Sequence, residues 1–207
     1  MLEFWDYLVQ FLVTAFGFCA ALRRYFQSRR QPWFLLACFY GTFALGTLYW
    51  TLHLALRQET PQVFYVSDLA WIASFVFLLT LTLTLPSAAE RRARARLCLL
   101  VPALGLPQFA LYVTHGDILS NVLMCGMTML AAWCAVRGLV WAKTSGDARL
   151  CRFHQAVLGF TALEYALWTS SCFWVSDTLT NPYFWFDFLL SAVLALFLPA
   201  LRKAVDA

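Results

Sequence analysis

Four ionisable side chains stand out inside the long apolar runs of this 207-residue chain: His53, Asp68, Glu164 and Asp187. Such a group costs at least about 2.5–3.5 kcal/mol at the centre of a bilayer on insertion scales, so its presence marks a lumen, a partner or a site. Aromatic residues accompany these groups at helical spacing, which puts them on the same helix faces. Tyr49 and Trp50 precede His53 by four and three residues, and Trp71 follows Asp68 by three. Trp168 and Ser171 follow Glu164 by four and seven, and Trp185 and Ser191 flank Asp187. Tyr49, Trp50, His53, Asp68, Trp71, Glu164, Trp168 and Asp187 are therefore the expected ligand-binding residues of an aromatic-walled, acidic pocket. Ring faces and negative charge both attract cations, so the pocket suits a small cationic or amphipathic ligand. A buried carboxyl also serves as a proton carrier in a transport cycle.

Each of these residues has a plainer reading. Asp68 equally caps a helix behind Ser67, and His53 and Asp187 equally sit in headgroup water. Glu164 has neither a cap nor a headgroup within reach. Trp5, Trp33, Trp141, Trp174, Tyr183 and Trp185 read as the interfacial aromatic belt, and His154 as an interfacial side chain.

The elements that must position these groups are membrane helices. Hydrophobic residues make up 62% of the chain and charged residues 13%, against roughly 45–50% and 25% in soluble domains. A core of this size cannot hide that much apolar surface from water. A span takes about 20 apolar residues as helix, because backbone in lipid must satisfy its own hydrogen bonds. The spans expected are 4–22, 33–55, 63–85, 97–113, 119–141, 153–174 and 182–201, forming a single all-α transmembrane domain. The fourth is short and carries Pro102, Gly105 and Pro107, which predict a kinked or partly unwound helix. Six spans, without the fourth, is the alternative count. The first span has an acidic leader (Glu3, Asp6) and no basic n-region or cleavage site, so it reads as a retained helix.

Charge decides between the two counts. Arg23, Arg24, Arg29 and Arg30 fall in the first connection, and Arg91, Arg92, Arg94 and Arg96 in the third. Arg137, Lys143, Arg149 and Arg152 fall around the fifth, and Arg202 and Lys203 in the tail. Only Arg57 of the 15 basic residues lies on the other side, with Glu59, Asp117 and Asp177. The positive-inside rule then selects seven spans, N-out and C-in, in the plasma membrane. At 1.5 Å per residue this puts Asp68 and Asp187 about 8 Å, and Glu164 about 15 Å, below the outer surface. Spans one to three and five to seven run in the same directions, which allows a 3+1+3 duplication at an offset of about 115 residues. That offset pairs Phe18-Cys19-Ala20 with Trp133-Cys134-Ala135.

Several classes find no support. The seven cysteines form no CxxC pair and no His/Cys cluster, so neither a disulfide framework nor a metal is expected. The net charge of +4 sits in short loops beside lipid headgroups rather than in a nucleic-acid patch. The last span carries no central lysine for retinal, His53 and His154 belong to opposite faces, and no hydrolase, protease or nucleotide motif occurs. No cofactor and no catalytic activity are expected.

The stretch 39–81 reads FYGTFALGTLYW, a short loop with Pro61, then FYVSDLAWIASFVFLL. With Tyr49, Pro61, Asp68 and Trp71 it resembles the central segment of bacterial seven-to-eight-helix sensory modules of the kind fused to diguanylate cyclases or histidine kinases. The resemblance implies ligand sensing in the membrane, although no such effector follows Ala207 in this sequence. Three functions stay open: a receptor-like protein binding its ligand from the outer side and signalling through a partner, a small proton-coupled transporter with Glu164 as the titrating group, and a non-catalytic subunit paired with another protein.

Overall fold

A computed structural model describes residues 1–61, 66–115 and 118–206. Every regular element among them is helical: α1 (Leu2–Ser28), α2 (Gln31–Arg57), α3 (Val66–Thr84), the short α4 (Ala88–Arg92), α5 (Leu100–Val113), α6 (Ile118–Ser145), α7 (Cys151–Ser171) and α8 (Pro182–Asp206). The long helices outrun their apolar stretches because nothing stops them until a backbone cap is reached. Arg29 and Gln58 end α1 and α2 in the left-handed region, at φ 53° and 56°, and donate their N–H groups to Tyr25 O and Leu54 O. Pro32 then starts α2 where a missing N–H costs nothing.

Among the described residues six helices are long and apolar enough to cross a membrane: α1, α2, α3, the stretch Arg96–Val113, α6 and α8. The proline-containing segment belongs to this set. Its unwinding is confined to a 3-10 turn at Arg96–Leu99, and α5 continues through Pro107 without a break. The helix outside the set is α7, whose Arg152, His154, Gln155 and Glu164 lower its hydropathy. His154 and Glu164 are buried inside the bundle, so those polar groups face protein rather than lipid.

Neighbouring helices form a closed ring in the order α1, α2, α3, α6, α7, α8, with α8 returning to α1. Helix α5 lies outside the ring against α6 and touches α7. One end of the ring carries the basic clusters. There Glu90, in the connection between the two triples of helices, is buried and meets the equally buried His154 (Nε2 to Oε1, 2.7 Å). His154 departs from expectation, leaving the interface for the interior, and Glu90 is buried with it. Gly138 makes the seat, because a Cβ there would collide with the imidazole. Trp33, expected in the aromatic belt, is also in the core at 2% exposure.

The middle of the ring is filled by phenylalanines. Phe39 packs edge-on to Phe160 at 5.8 Å between ring centroids, Phe160 on Phe197 at 6.0 Å and on Phe75 at 5.2 Å. Tyr40 crosses this core and donates its hydroxyl to the Leu194 carbonyl. The end opposite the basic clusters is open.

Candidate functional site

At that open end the ring encloses a cavity of about 650 Å³. Seven helices contribute: α1, α3, α6 and α8 with their first turns, and α2, α5 and α7 with their last. The phenylalanine core supplies the floor, through Phe43 and Phe75.

Two aromatic walls stand above it. On the first, Tyr7 of α1, Trp50 of α2 and Trp71 of α3 form a closed triangle, with centroid separations of 5.1 Å (Tyr7–Trp50), 5.6 Å (Trp50–Trp71) and 6.3 Å (Tyr7–Trp71). Gly46 permits it, since a Cβ there would lie 2.7 Å from the Trp71 indole nitrogen. On the second wall Tyr112 of α5 packs 5.8 Å from Trp168 of α7. Tyr112 is held by Gln108, which also donates to the Tyr165 carbonyl at 3.0 Å.

Each wall presents an indole N–H to a carboxylate. Trp50 Nε1 donates to Glu3 Oε1 at 3.0 Å, and Trp168 Nε1 donates to Glu164 Oε2 at 3.2 Å. Between the walls Asp187 accepts from Gln10, and Asp68 accepts from Ser120 at 3.4 Å. The Tyr7 and Tyr183 hydroxyls lie 2.9 Å apart. At the rim Asp177 accepts from the Glu3 backbone N–H at 2.9 Å. Burial works to raise the Asp177 carboxyl, but the N-terminal ammonium and the Glu3 amide outweigh it and hold the group below the usual carboxylate range.

Five carboxylates, of Glu3, Asp68, Glu164, Asp177 and Asp187, thus line one cavity, and among the described residues no Lys or Arg lines it. Such a chamber attracts cations twice over, through negative charge and through ring faces. No family model, curated protein or solved structure matches the chain.

Of the eight residues expected at the site, six line the cavity: Trp50, Asp68, Trp71, Glu164, Trp168 and Asp187. Tyr49 and His53 do not. Their rings pair 6.0 Å apart on another face of α2, and His53 Nδ1 donates to the Glu59 carbonyl at 2.9 Å. None of the eight lies on α1, although the sequence of that helix carries a signal. Glu3, Tyr7, Gln10, Thr14, Gly17 and Ala21 recur at helical period as polar or small residues along an otherwise apolar helix, and a stripe of that kind in a membrane helix faces protein. Among the described residues no cluster of three metal-ligating side chains occurs.

Proposed function

We propose that the chain is a seven-helix protein of the plasma membrane, N-out and C-in, that binds a small organic cation from the outer side in this cavity. The observation that carries the reading is the pairing of two aromatic walls with carboxylates in a chamber whose described lining holds no lysine or arginine, with His115 its one imidazole. The seventh span is α7. Its 21 residues give about 31 Å at 1.5 Å per residue, enough to cross the hydrocarbon. Its histidine and its carboxylate, His154 and Glu164, need no lipid solvation, because both are buried inside the bundle, and Arg152 and Gln155 stand exposed at its basic end. The positive-inside rule puts the basic end in the cytoplasm, and the cavity opens at the other end.

Thermal stabilisation of the purified protein tests this. Tetraalkylammonium and aromatic ammonium compounds should raise the melting temperature, and neutral compounds of the same shape should not. Glu164→Gln should weaken the shift at least tenfold in ligand concentration. Equal stabilisation by the neutral compounds would refute the reading.

As a receptor-like module the protein signals through a separate partner on its basic face, in keeping with its resemblance to membrane sensory modules. Transport is the second reading, and the ring favours it. The triples α1–α3 and α6–α8 meet at two equivalent seams, α3 on α6 and α8 on α1, as a parallel duplication would produce, with α5 as the connector outside. Two such halves can rock about a site between them. Uptake of a radiolabelled ammonium compound into proteoliposomes separates the two, since a receptor binds without net flux.

A further inference from the structure

Behind the cavity, a second acid backs Asp187. Asp6 of α1 is completely buried and does not reach the cavity, and its carboxylate is turned toward that of Asp187. Among the described residues no donor group gives either Asp6 oxygen a hydrogen bond. Two carboxylates facing one another in a bundle interior, one without a donor, leave negative charge that nothing in the surrounding protein offsets, and uncompensated buried charge is among the most costly features a fold carries.

The surroundings supply neutral oxygens rather than a counter-charge. Ser191 lies one turn beyond Asp187 on α8, and its buried hydroxyl has no partner. Gln10 donates to Asp187 through an amide whose oxygen and nitrogen exchange places on a half-turn, which would present a carbonyl oxygen instead. No third acid or imidazole completes a cluster for a divalent ion among the described residues. Two carboxylates, an amide oxygen and a hydroxyl are a hard, all-oxygen donor set suited to a monovalent ion.

We propose that Asp6 and Asp187 form a site for a small inorganic cation, a sodium ion or a proton, distinct from the organic-cation cavity but sharing Asp187 with it. The site stands on its own geometry. Its link to ligand binding rests on the function proposed above: an ammonium group drawn to Asp187 from the cavity and an ion held behind it are coupled through one carboxylate, which is the arrangement a coupled carrier requires.

The test uses the full chain in nanodiscs with no organic cation present, so its failure is separate from failure of the cavity reading. In the sodium arm, sodium replaces potassium at constant ionic strength. Wild type should melt about 3–5 °C higher once sodium exceeds its dissociation constant tenfold, and Asp6→Asn should not respond. In the proton arm, infrared difference spectra between neutral and alkaline pH should show a protonated-carboxyl band lost in wild type and smaller by one carboxyl in Asp6→Asn, any contribution of Glu164 being common to both. Either response supports the site and says which ion fills it. Equilibrium binding of radioactive sodium to wild type, with the wild-type infrared titration, gives a reading that needs no variant. Identical sodium and pH responses in wild type and Asp6→Asn, or no sodium binding and no carboxyl band in wild type, would overturn the proposal.

Discussion

Replacing Glu90 by alanine removes one half of a pair in which both side chains are nearly inaccessible, at 1% for His154 and 5% for Glu90. The His154 Nε2–H then points into protein with no acceptor, while its Nδ1 already has no partner. Breaking a buried pair of this type costs about 3–5 kcal/mol, against about 0–1 for an exposed pair. For a chain of this length each kcal/mol moves the melting temperature by about 2–4 °C, so Glu90→Ala should lower it by about 6–20 °C. The double variant Glu90→Leu/His154→Leu leaves no orphaned polar group and should recover most of that loss. The resulting coupling, about 2 kcal/mol or more, is measured by a double-mutant cycle in mixed micelles with chemical denaturant. A single variant within 1 kcal/mol of wild type, or a double variant as unstable as the two singles added together, would refute the pairing. A loss would be structural rather than chemical, because the pair lies at the end of the bundle opposite the cavity. Its task is to hold the connection between the two triples of helices against α7.

Three further outcomes follow from local geometry. Gly138→Ala should destabilise the wild type by about 1–3 kcal/mol through overpacking against the imidazole, and should cost far less in a His154→Ala background, as unfolding of the four proteins would reveal. Tyr40→Phe removes the donor to the Leu194 carbonyl while keeping the ring, and should lower stability by about 1 kcal/mol with ammonium affinity unchanged in the thermal-shift assay. Gly46→Ala pushes the Trp71 indole out of its triangle with Tyr7 and Trp50, and should weaken ammonium binding while Gly46→Ala/Trp71→Phe recovers part of it.

Much of the site was legible from sequence because membrane helices simplify the problem. In lipid, a polar residue at helical spacing from aromatics has few places to go, so Asp68 with Trp71 and Glu164 with Trp168 were found from spacing alone. Tyr49 and His53 obey the same spacing and miss the cavity, because spacing gives a shared face but not which neighbour the face meets. The partners that make the site chemical were hidden for another reason. Tyr112 reaches Trp168 from α5, and Gln10 reaches Asp187 from a helix far away in sequence, and neither contact leaves a local trace. Glu90 shows a different failure. Ser87 followed three residues later by Glu90 has the form of a helix capping box, and Ser87 does accept the Glu90 N–H at 3.2 Å. The Glu90 carboxylate goes instead to a histidine on another helix, which no local pattern predicts.

The helix least like a membrane span is the one that carries most of the chemistry. Helix α7 falls below the hydropathy of its neighbours because His154 and Glu164 stand on it, each buried and each bonded at an opposite end of the bundle. Glu164 meets the cavity and His154 meets the connection between the two triples. Ten residues of α7, about 15 Å of helix, separate them. Any displacement of α7 on ligand binding would therefore reach the basic end directly, and the exposed Arg91, Arg92, Arg94 and Arg96 beside Glu90 are the surface that would move. A sensor and a carrier both need such a transmission, and they differ in whether the Glu90–His154 pair opens. Holding that pair closed, by a bifunctional cross-link between cysteines placed on the α4 connection and on α7 away from Glu90 and His154 themselves, should leave ammonium binding intact in either case. It should abolish flux in a carrier.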